Sequence, residues 1–504
     1  MRSVLLALSV FGLMHVASCT PQAPTEIAWR HGDVEEALQE AAQTGKPVLL
    51  YWGAVWCPPC NRLKATLFQD AAFVRQTQDF VPVYLDGDSR GAQLWGEQFA
   101  IQGYPTLIIL RTDRTEITRL SGGGDPQEIA QALAAARRSQ SSVADLIVRA
   151  QAQPQRLSAE DWTLVSGYGW EVDTDRIVPE AERAGVLQRL AANAPTPALA
   201  RRFQLLSLAL ADQDVALTGS QRTQLQSVLE AVLANAGEVR ANRDVLIEDG
   251  AELTARLGDN ARGQLQASLV GALDQLYAVE NLPISDRVST INAEIEIARA
   301  AIGEDEPFPA ALVTKVRARA AWVDEAAETP FERQSAIYVA AGLLDDVGDA
   351  AGAERLLVAE LERSATPFYY MPILADLAEE RGDKARALDW LRQGFETSVG
   401  PASRVQWGAN YAIGVTRFAP EDAAQVERAV DAIIDELATS PDSYHQRTRM
   451  RFARLETALR TWAARNDGAA VLVRLRTRMA EVCPLAQTDA EARQACAAWL
   501  SATA

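Results

Sequence analysis

The feature that most constrains the fold is a cysteine pair set between two segments of opposite periodicity. Val48-Leu49-Leu50-Tyr51-Trp52 is a short apolar run with strand character, Cys57-Pro58-Pro59-Cys60 follows it, and 61–68 has helical spacing. Two thiols at such a strand-to-helix corner can close a small disulfide ring. A helix start offers N–H groups without intrahelical partners and a positive dipole end, and both favour a thiolate. A thiol with a free pKa of about 8.5 falls to about 7 or lower in such a site. Only the thiolate attacks, so the spacing predicts Cys57 as a solvent-facing nucleophile and Cys60, beneath it, as the resolving thiol. Zinc is the other use of such a pair. It needs further ligands, and beyond the leader the chain offers only His31, His445 and the distant Cys483 and Cys496.

The flanking segments predict an α/β layer. Helical spacing covers 34–44 and 90–101, 80–85 is a second apolar run, and 106–110 and 116–120 read as strands joined by the polar turn 111–115. A final helix, 126–138, follows Gly122-Gly123-Gly124. Strand–helix alternation, then two strands and a helix, implies a mixed sheet flanked by helices.

Trp56-Cys57-Pro58-Pro59-Cys60 after a strand, with Gly103-Tyr104-Pro105-Thr106 before a later one, resembles the thioredoxin superfamily. The stretch through Leu67-Phe68-Gln69-Asp70 to Val81-Pro82-Val83-Tyr84-Leu85-Asp86 is similar to the subgroup that includes the periplasmic C-terminal domain of the bacterial transmembrane thiol:disulfide interchange reductase. The resemblance implies a redox-active Cys57–Cys60 disulfide acting on protein disulfides or dithiols, as a reductase more than an oxidase, with no cofactor and no metal. It also implies that Pro105 is a cis-proline facing the disulfide. Trp56 and Tyr104 then border the substrate groove, unless they serve packing alone. Pro58 and Pro59 lack N–H groups, at little cost in a first helical turn, and are expected to stiffen the ring and shift its redox poise. One departure is plain. Where the family often has a buried Asp and its Lys partner, this chain has Tyr51 and Tyr84, so proton transfer falls to water, Asp86 or Glu97.

The first residues read as a leader. Arg2 is its one charge, and the apolar run 4–13 is too short to span a bilayer but suits a secretory signal. It ends in Val16-Ala17-Ser18-Cys19, which resembles the lipobox of bacterial lipoproteins. That resemblance implies cleavage before Cys19, lipidation of its thiol, and a periplasmic chain held by a lipid anchor alone. Thr20 after the cysteine goes with the outer membrane of a Gram-negative bacterium. An ordinary signal cut near Ala17 is the alternative.

From about 141 the alternation gives way to helical spacing, as in 199–210, 223–235, 267–279 and 288–302, while 161–179, with Trp162 and Trp170, reads as a loop or dock. Gly348-Asp349 recurs as Gly382-Asp383, and Ala341, Ala353 and Leu357 recur as Ala375, Ala387 and Leu391. The interval resembles the tetratricopeptide period. It predicts helical hairpins 334–347 with 350–361 and 371–381 with 384–395, and a drifted third copy over 405–418 and 420–437. Such an α-solenoid either offers a groove to a protein partner or only orients the first unit. Cys483 and Cys496 read as a structural disulfide stapling a terminal hairpin, with an electron relay to Cys57–Cys60 as the alternative.

The expected organisation is a signal peptide at 1–18, a lipidated tether at 19–25, a thioredoxin-like unit at 26–140, a helical region at 141–330 and tetratricopeptide-like hairpins with terminal helices at 331–504. A net charge of −18 argues against nucleic acid as a partner, which needs a basic face. Two function classes follow: a periplasmic thiol–disulfide oxidoreductase, or a scaffold whose helices bind a protein while the thioredoxin-like unit docks.

Overall fold

The computed structural model describes residues 26–31, 34–121, 126–173, 175–213, 215–303 and 306–501. The leader, Cys19, the tether and the glycine run 122–124 lie outside the described residues.

Five strands form one sheet: β1 (Arg30–His31), β2 (Val48–Gly53), β3 (Val81–Asp86), β4 (Thr106–Leu110) and β5 (Glu116–Ser121), in the order β1-β3-β2-β4-β5. β3 runs parallel to β1 and β2, whereas β4 is antiparallel to β2 and β5, so the sheet is mixed. β2 is central, with Leu50 opposite both Val83 and Ile108. It is apolar throughout because both of its faces are covered. Val48, Leu50 and Trp52 point to one face, with α1 (Val34–Thr44) and α4 (Arg90–Gln98). Leu49 and Tyr51 point to the other, with α2 (Pro58–Ala65), α3 (Ala71–Thr77) and α5 (Pro126–Arg138). Asp70 caps α3 and Ser89 caps α4, each accepting a backbone N–H three residues on.

All regular elements from Val143 onward among the described residues are helices. The protein is thus a thioredoxin-like mixed sheet with flanking helices, followed by an all-helical region. Ser139 to Ser142 forms a tight corner in which Ser142 caps the next helix. Val143, Leu146 and Ile147 join the same apolar core as Leu49, Leu63 and Leu133. That core continues through Trp162, Leu187, Leu229 and Leu269, so the first helices are built onto one face of the sheet. Two further cores follow, around Ile337, Leu357 and Leu374, and around Ile433, Leu455 and Leu475.

The two Gly-Asp turns superimpose in their bonding. Gly348 and Gly382 have φ of +81° and +78°. Asp349 N donates to Leu344 O at 2.8 Å and Asp383 N to Ala378 O at 2.9 Å. Each aspartate then caps its helix, bonding Gly352 N and Arg386 N at 3.0 Å. Of the segment 161–179, expected as a loop or dock, the start is helical: Ala159–Ser166 is set by a capping box between Ser158 and Asp161, while Trp162 and Trp170 are buried in the core shared with the first helices.

The chain's last third returns to the sheet-bearing unit. Helix Gln446–Arg465 begins against α4, where Gln446 N bonds Glu97 at 3.1 Å and Thr448 N bonds Gln93 at 3.3 Å. The helical region therefore starts on the α5 face, crosses the strand ends beside which the cysteines lie, and ends on the α4 face. Among the described residues, no helix is long and apolar enough to cross a membrane.

Candidate functional site

Cys57 is the N-cap of α2, with Pro58 and Pro59 in the first turn. Its Sγ accepts the Cys60 N–H at 3.2 Å and is bonded to Cys60 Sγ, with the two Cα atoms 5.2 Å apart. Asn61 fixes the corner: its side-chain N–H group donates to Val55 O at 2.9 Å and to Cys57 O at 3.0 Å. The Tyr104–Pro105 peptide is cis, and Tyr104 O lies 3.5 Å from Cys57 Sγ. The structure thus brings Trp56, Cys57, Cys60, Tyr104 and Pro105 to one place, and Cys483–Cys496 to another.

The surroundings differ from the solvent-facing nucleophile that spacing predicts. Cys57 is only 2% exposed and Cys60 0%. The reason is Trp56, which serves as the docking point for three distant elements. Its Nε1 donates to Ser403 Oγ at 2.9 Å, and its carbonyl accepts from Gln334 Nε2 at 3.0 Å. Its ring stacks on Tyr369, centroids 5.9 Å apart, and meets Trp407 edge-on at 5.3 Å. Gln334 is held in turn, since its Oε1 accepts from Ser364, Thr366 and Tyr370 at 3.0–3.2 Å.

A second docking point is Asp88, in the loop before α4. It accepts Ser403 N at 2.6 Å and Ser403 Oγ at 2.7 Å, and pairs with Arg447 at 3.2 Å. Burial pushes the Asp88 carboxyl up, while Arg447 and the Ser403 bonds pull it down less strongly. Gly400, with φ of +99°, lets the helix Pro401–Phe418 approach: a Cβ there would sit closer than 3.0 Å to the Asp88 carboxylate. A third point is Arg62 of α2, paired with Asp286 at 2.6 Å.

Tyr51 and Tyr84, where the resemblance leads one to expect an Asp and its Lys, join an aromatic cluster. Tyr51 stacks on Tyr84 at 5.4 Å, and the Tyr84 hydroxyl donates to Asp86 at 3.2 Å. Burial, then the Asp86 charge, pushes both phenols up. Burial pushes Lys64 down against the pull of Asp86. Glu97, the other expected proton carrier, is bonded to His445 at 3.2 Å and paired with Arg449 in the helical dock. Among the described residues, no cluster of His, Cys, Asp or Glu is set to hold a metal.

Sequence reasoning missed Gln334, Ser403, Trp407 and Arg447. Polar and aromatic residues of this kind carry no local pattern. The one available signal was Arg447, Arg451 and Arg454, on one helix face at i, i+4 and i+7.

Residues 28–112 match the family model described as Thioredoxin-like. These residues form a thioredoxin-like unit. The chain is similar to Thioredoxin H5 of Oryza sativa subsp. japonica, 33% identical over 89 residues, which is 18% of this chain and 62% of that relative. It thus spans somewhat under two thirds of that protein's length. A solved thioredoxin from Thermus thermophilus is 24% identical over 21% of this chain and 86% of its own, with a TM-score of 0.20.

Proposed function

We propose that this protein is a periplasmic thiol–disulfide oxidoreductase acting on protein disulfides, more as a reductase than as an oxidase. The observation that carries the reading is Cys57 at the N-cap of α2, accepting the Cys60 N–H and bonded to Cys60. That N–H and the helix dipole stabilise a thiolate after reduction. The Cys57 thiolate attacks a substrate S–S bond, forms a mixed disulfide and releases one substrate thiolate, which takes a proton from water. The Cys60 thiolate then attacks Cys57 Sγ and releases the second substrate thiolate. Two electrons pass to the substrate, the Cys57–Cys60 disulfide re-forms, and a donor dithiol reduces it again. Trp56 and Tyr104 border the groove in this reading.

Insulin-disulfide reduction, with a small dithiol as donor, tests it. Wild type is expected to accelerate the reaction and Cys57→Ser is expected to abolish it. Equal rates for the two overturn the reading. Cys60→Ser should accumulate mixed disulfides on Cys57, which mass spectrometry identifies.

Export and lipid anchoring rest on the leader sequence, with Cys19 as the acylated residue. Acyl-labelling of wild type but not Cys19→Ala tests that. Cys483 and Cys496, both fully buried between helices Ala469–Ala486 and Ala490–Ala497, fit a structural staple. They sit in a different apolar core from the redox pair, which speaks against a relay.

A second reading, the scaffold, is favoured by one observation: the dithiol edge is already occupied by the chain's own helices. No insulin reduction under any redox poise, with a partner retained on the helices, would favour it. The tetratricopeptide-like identity of the hairpins rests on the two matching Gly-Asp turns.

A further inference from the structure

Arg447 is an anomaly beside the redox pair. It sits in the first turn of helix Gln446–Arg465, is 6% exposed, and is locked from both sides by the docking bonds of Gln446 and Thr448. Its Nη2 reaches Asp88 at 3.2 Å and Ser403 Oγ at 3.4 Å. Its Nε and Nη1 are buried and have no hydrogen-bond partner among the described residues. Buried guanidinium N–H groups without acceptors are rare, and removing them from water is costly. The guanidinium lies 5.2 Å from the ring centre of Trp56 and 5.5 Å from that of Tyr104. These two residues bracket Cys57: one precedes it in the chain, and the other places its carbonyl 3.5 Å from the sulfur.

The site therefore holds a cation with unengaged donors in a state where both sulfurs are neutral, being joined as a disulfide. Reduction makes an anion at this spot, the thiolate. We propose that Arg447, carried by the helical region, is the electrostatic partner of the Cys57 thiolate, so that the redox centre is completed by a helix far along the chain. The proposal rests on Cys57 being the reactive thiol.

The other charged and titratable groups around it are few. Arg451 and Arg454 lie on the same helix as Arg447, and Arg451 is pushed down to about 10 by burial and by those two like charges. From the loop before α4 come Asp88, which pairs with Arg447, and Asp86 at the strand end. α2 contributes Lys64, and the strand start contributes the Tyr104 phenol, which burial pushes up. Helices Pro401–Phe418 and Pro330–Asp346 present the neutral Ser403, Trp407 and Gln334. Among the described residues, Asp88 is the one carboxylate bonded to the guanidinium, and it engages only Nη2, while Glu97 is engaged by Gln446 N, His445 and Arg449. The balance facing Cys57 from the helical side is positive, which favours the thiolate over the thiol.

The test is the pH dependence of iodoacetamide alkylation at Cys57 in the full-length reduced protein, read site by site by mass spectrometry. The midpoint reports charge, and the high-pH plateau reports access. Arg447→Met is expected to raise the midpoint by about one pH unit, a tenfold loss of thiolate near neutrality, and Arg447→Lys should restore most of it. Asp88→Asn, which removes the charge opposing Arg447, should lower the midpoint, and Arg447→Gln, which keeps a polar side chain without the charge, should raise it and decides the matter if Arg447→Met does not fold. A plateau change with unchanged midpoints in all variants overturns the proposal, because it marks Arg447 as packing only. No disulfide substrate is involved. A protein that reduces insulin with an unshifted midpoint keeps its proposed function and loses this inference. A shifted midpoint without reductase activity does the reverse.

Discussion

Cys57 and Cys60 were legible because a two-residue gap at a helix start closes a disulfide ring. The cis bond at Pro105 was legible only through the family resemblance that Gly103-Tyr104-Pro105-Thr106 carries. Ser403, Asp88 and Gly400 were not legible, because each matters only through a contact made more than 300 positions away. Gly400→Ala tests that contact. It combines a left-handed backbone with a Cβ that would overlap the Asp88 carboxylate. We expect a loss of about 2–4 kcal/mol in chemical denaturation. A second residue sets a pH dependence. Burial first, then Glu248, Glu252, Asp244 and Glu296, raise the Asp249 carboxyl from 3.8 to about 6. The native protein holds a proton there that the unfolded chain has already released, so stability falls as pH rises through that interval and stays lower above it. The group is partly exposed, which weakens the effect. Asp249→Asn should stabilise the protein by about 1 kcal/mol near neutral pH and leave it unchanged at acid pH, as read by thermal melts across pH.

Elements were legible where periodicity and caps agreed. The segment 199–210 corresponds to helix Pro197–Ala209, and 223–235 to Gly219–Leu233. Helical spacing runs through 288–302 without a break, yet two helices, Ile284–Ser289 and Asn292–Ala301, meet within it. The Thr290 hydroxyl explains the break: it donates to Arg287 O at 2.7 Å and accepts from the buried Arg319 at 2.7 Å, in competition with the helical ladder. The missed helix at 159–166 was signalled by its capping box, which periodicity alone does not see. The two Gly-Asp turns give a matched pair of tests. Neither Gly348 nor Gly382 has any atom within 4 Å of a Cβ built on it, so an alanine meets backbone strain and nothing else. Each substitution should cost about 1–2 kcal/mol, and the two costs should agree. A large difference in denaturation midpoint between them would deny that the turns are structurally equivalent.

At the scale of the molecule, the sheet and its helices were legible, but the closure of the helical region over the dithiol was not. Nothing in the amphipathic pattern says which way a helical array bends. The closed arrangement makes a kinetic prediction. Gln334→Ala combined with Ser403→Ala removes two of the bonds to Trp56, together worth about 2 kcal/mol. A polymer-linked maleimide should then modify reduced Cys57 about 10–30 times faster than in wild type, with a smaller gain for iodoacetamide. Equal rates for the large reagent would mean that the cover does not limit access. The core that joins the sheet to the first helices adds a constraint on this opening. Only the later helices are free to swing, because Leu146, Trp162 and Leu187 share their packing with Leu49 and Leu133.

The position of the cover in the chain also sets an order in time. Its contacts to Trp56 come from residues 278 and 347 positions further along. A polypeptide is made from its N-terminus, and at about 5–20 residues per second those positions follow roughly 15–70 s later. For that interval the newborn pair has no lid. An oxidant or reductant present while the chain is being made meets Cys57 in the open, whereas one that arrives afterwards must wait for the protein to let it in.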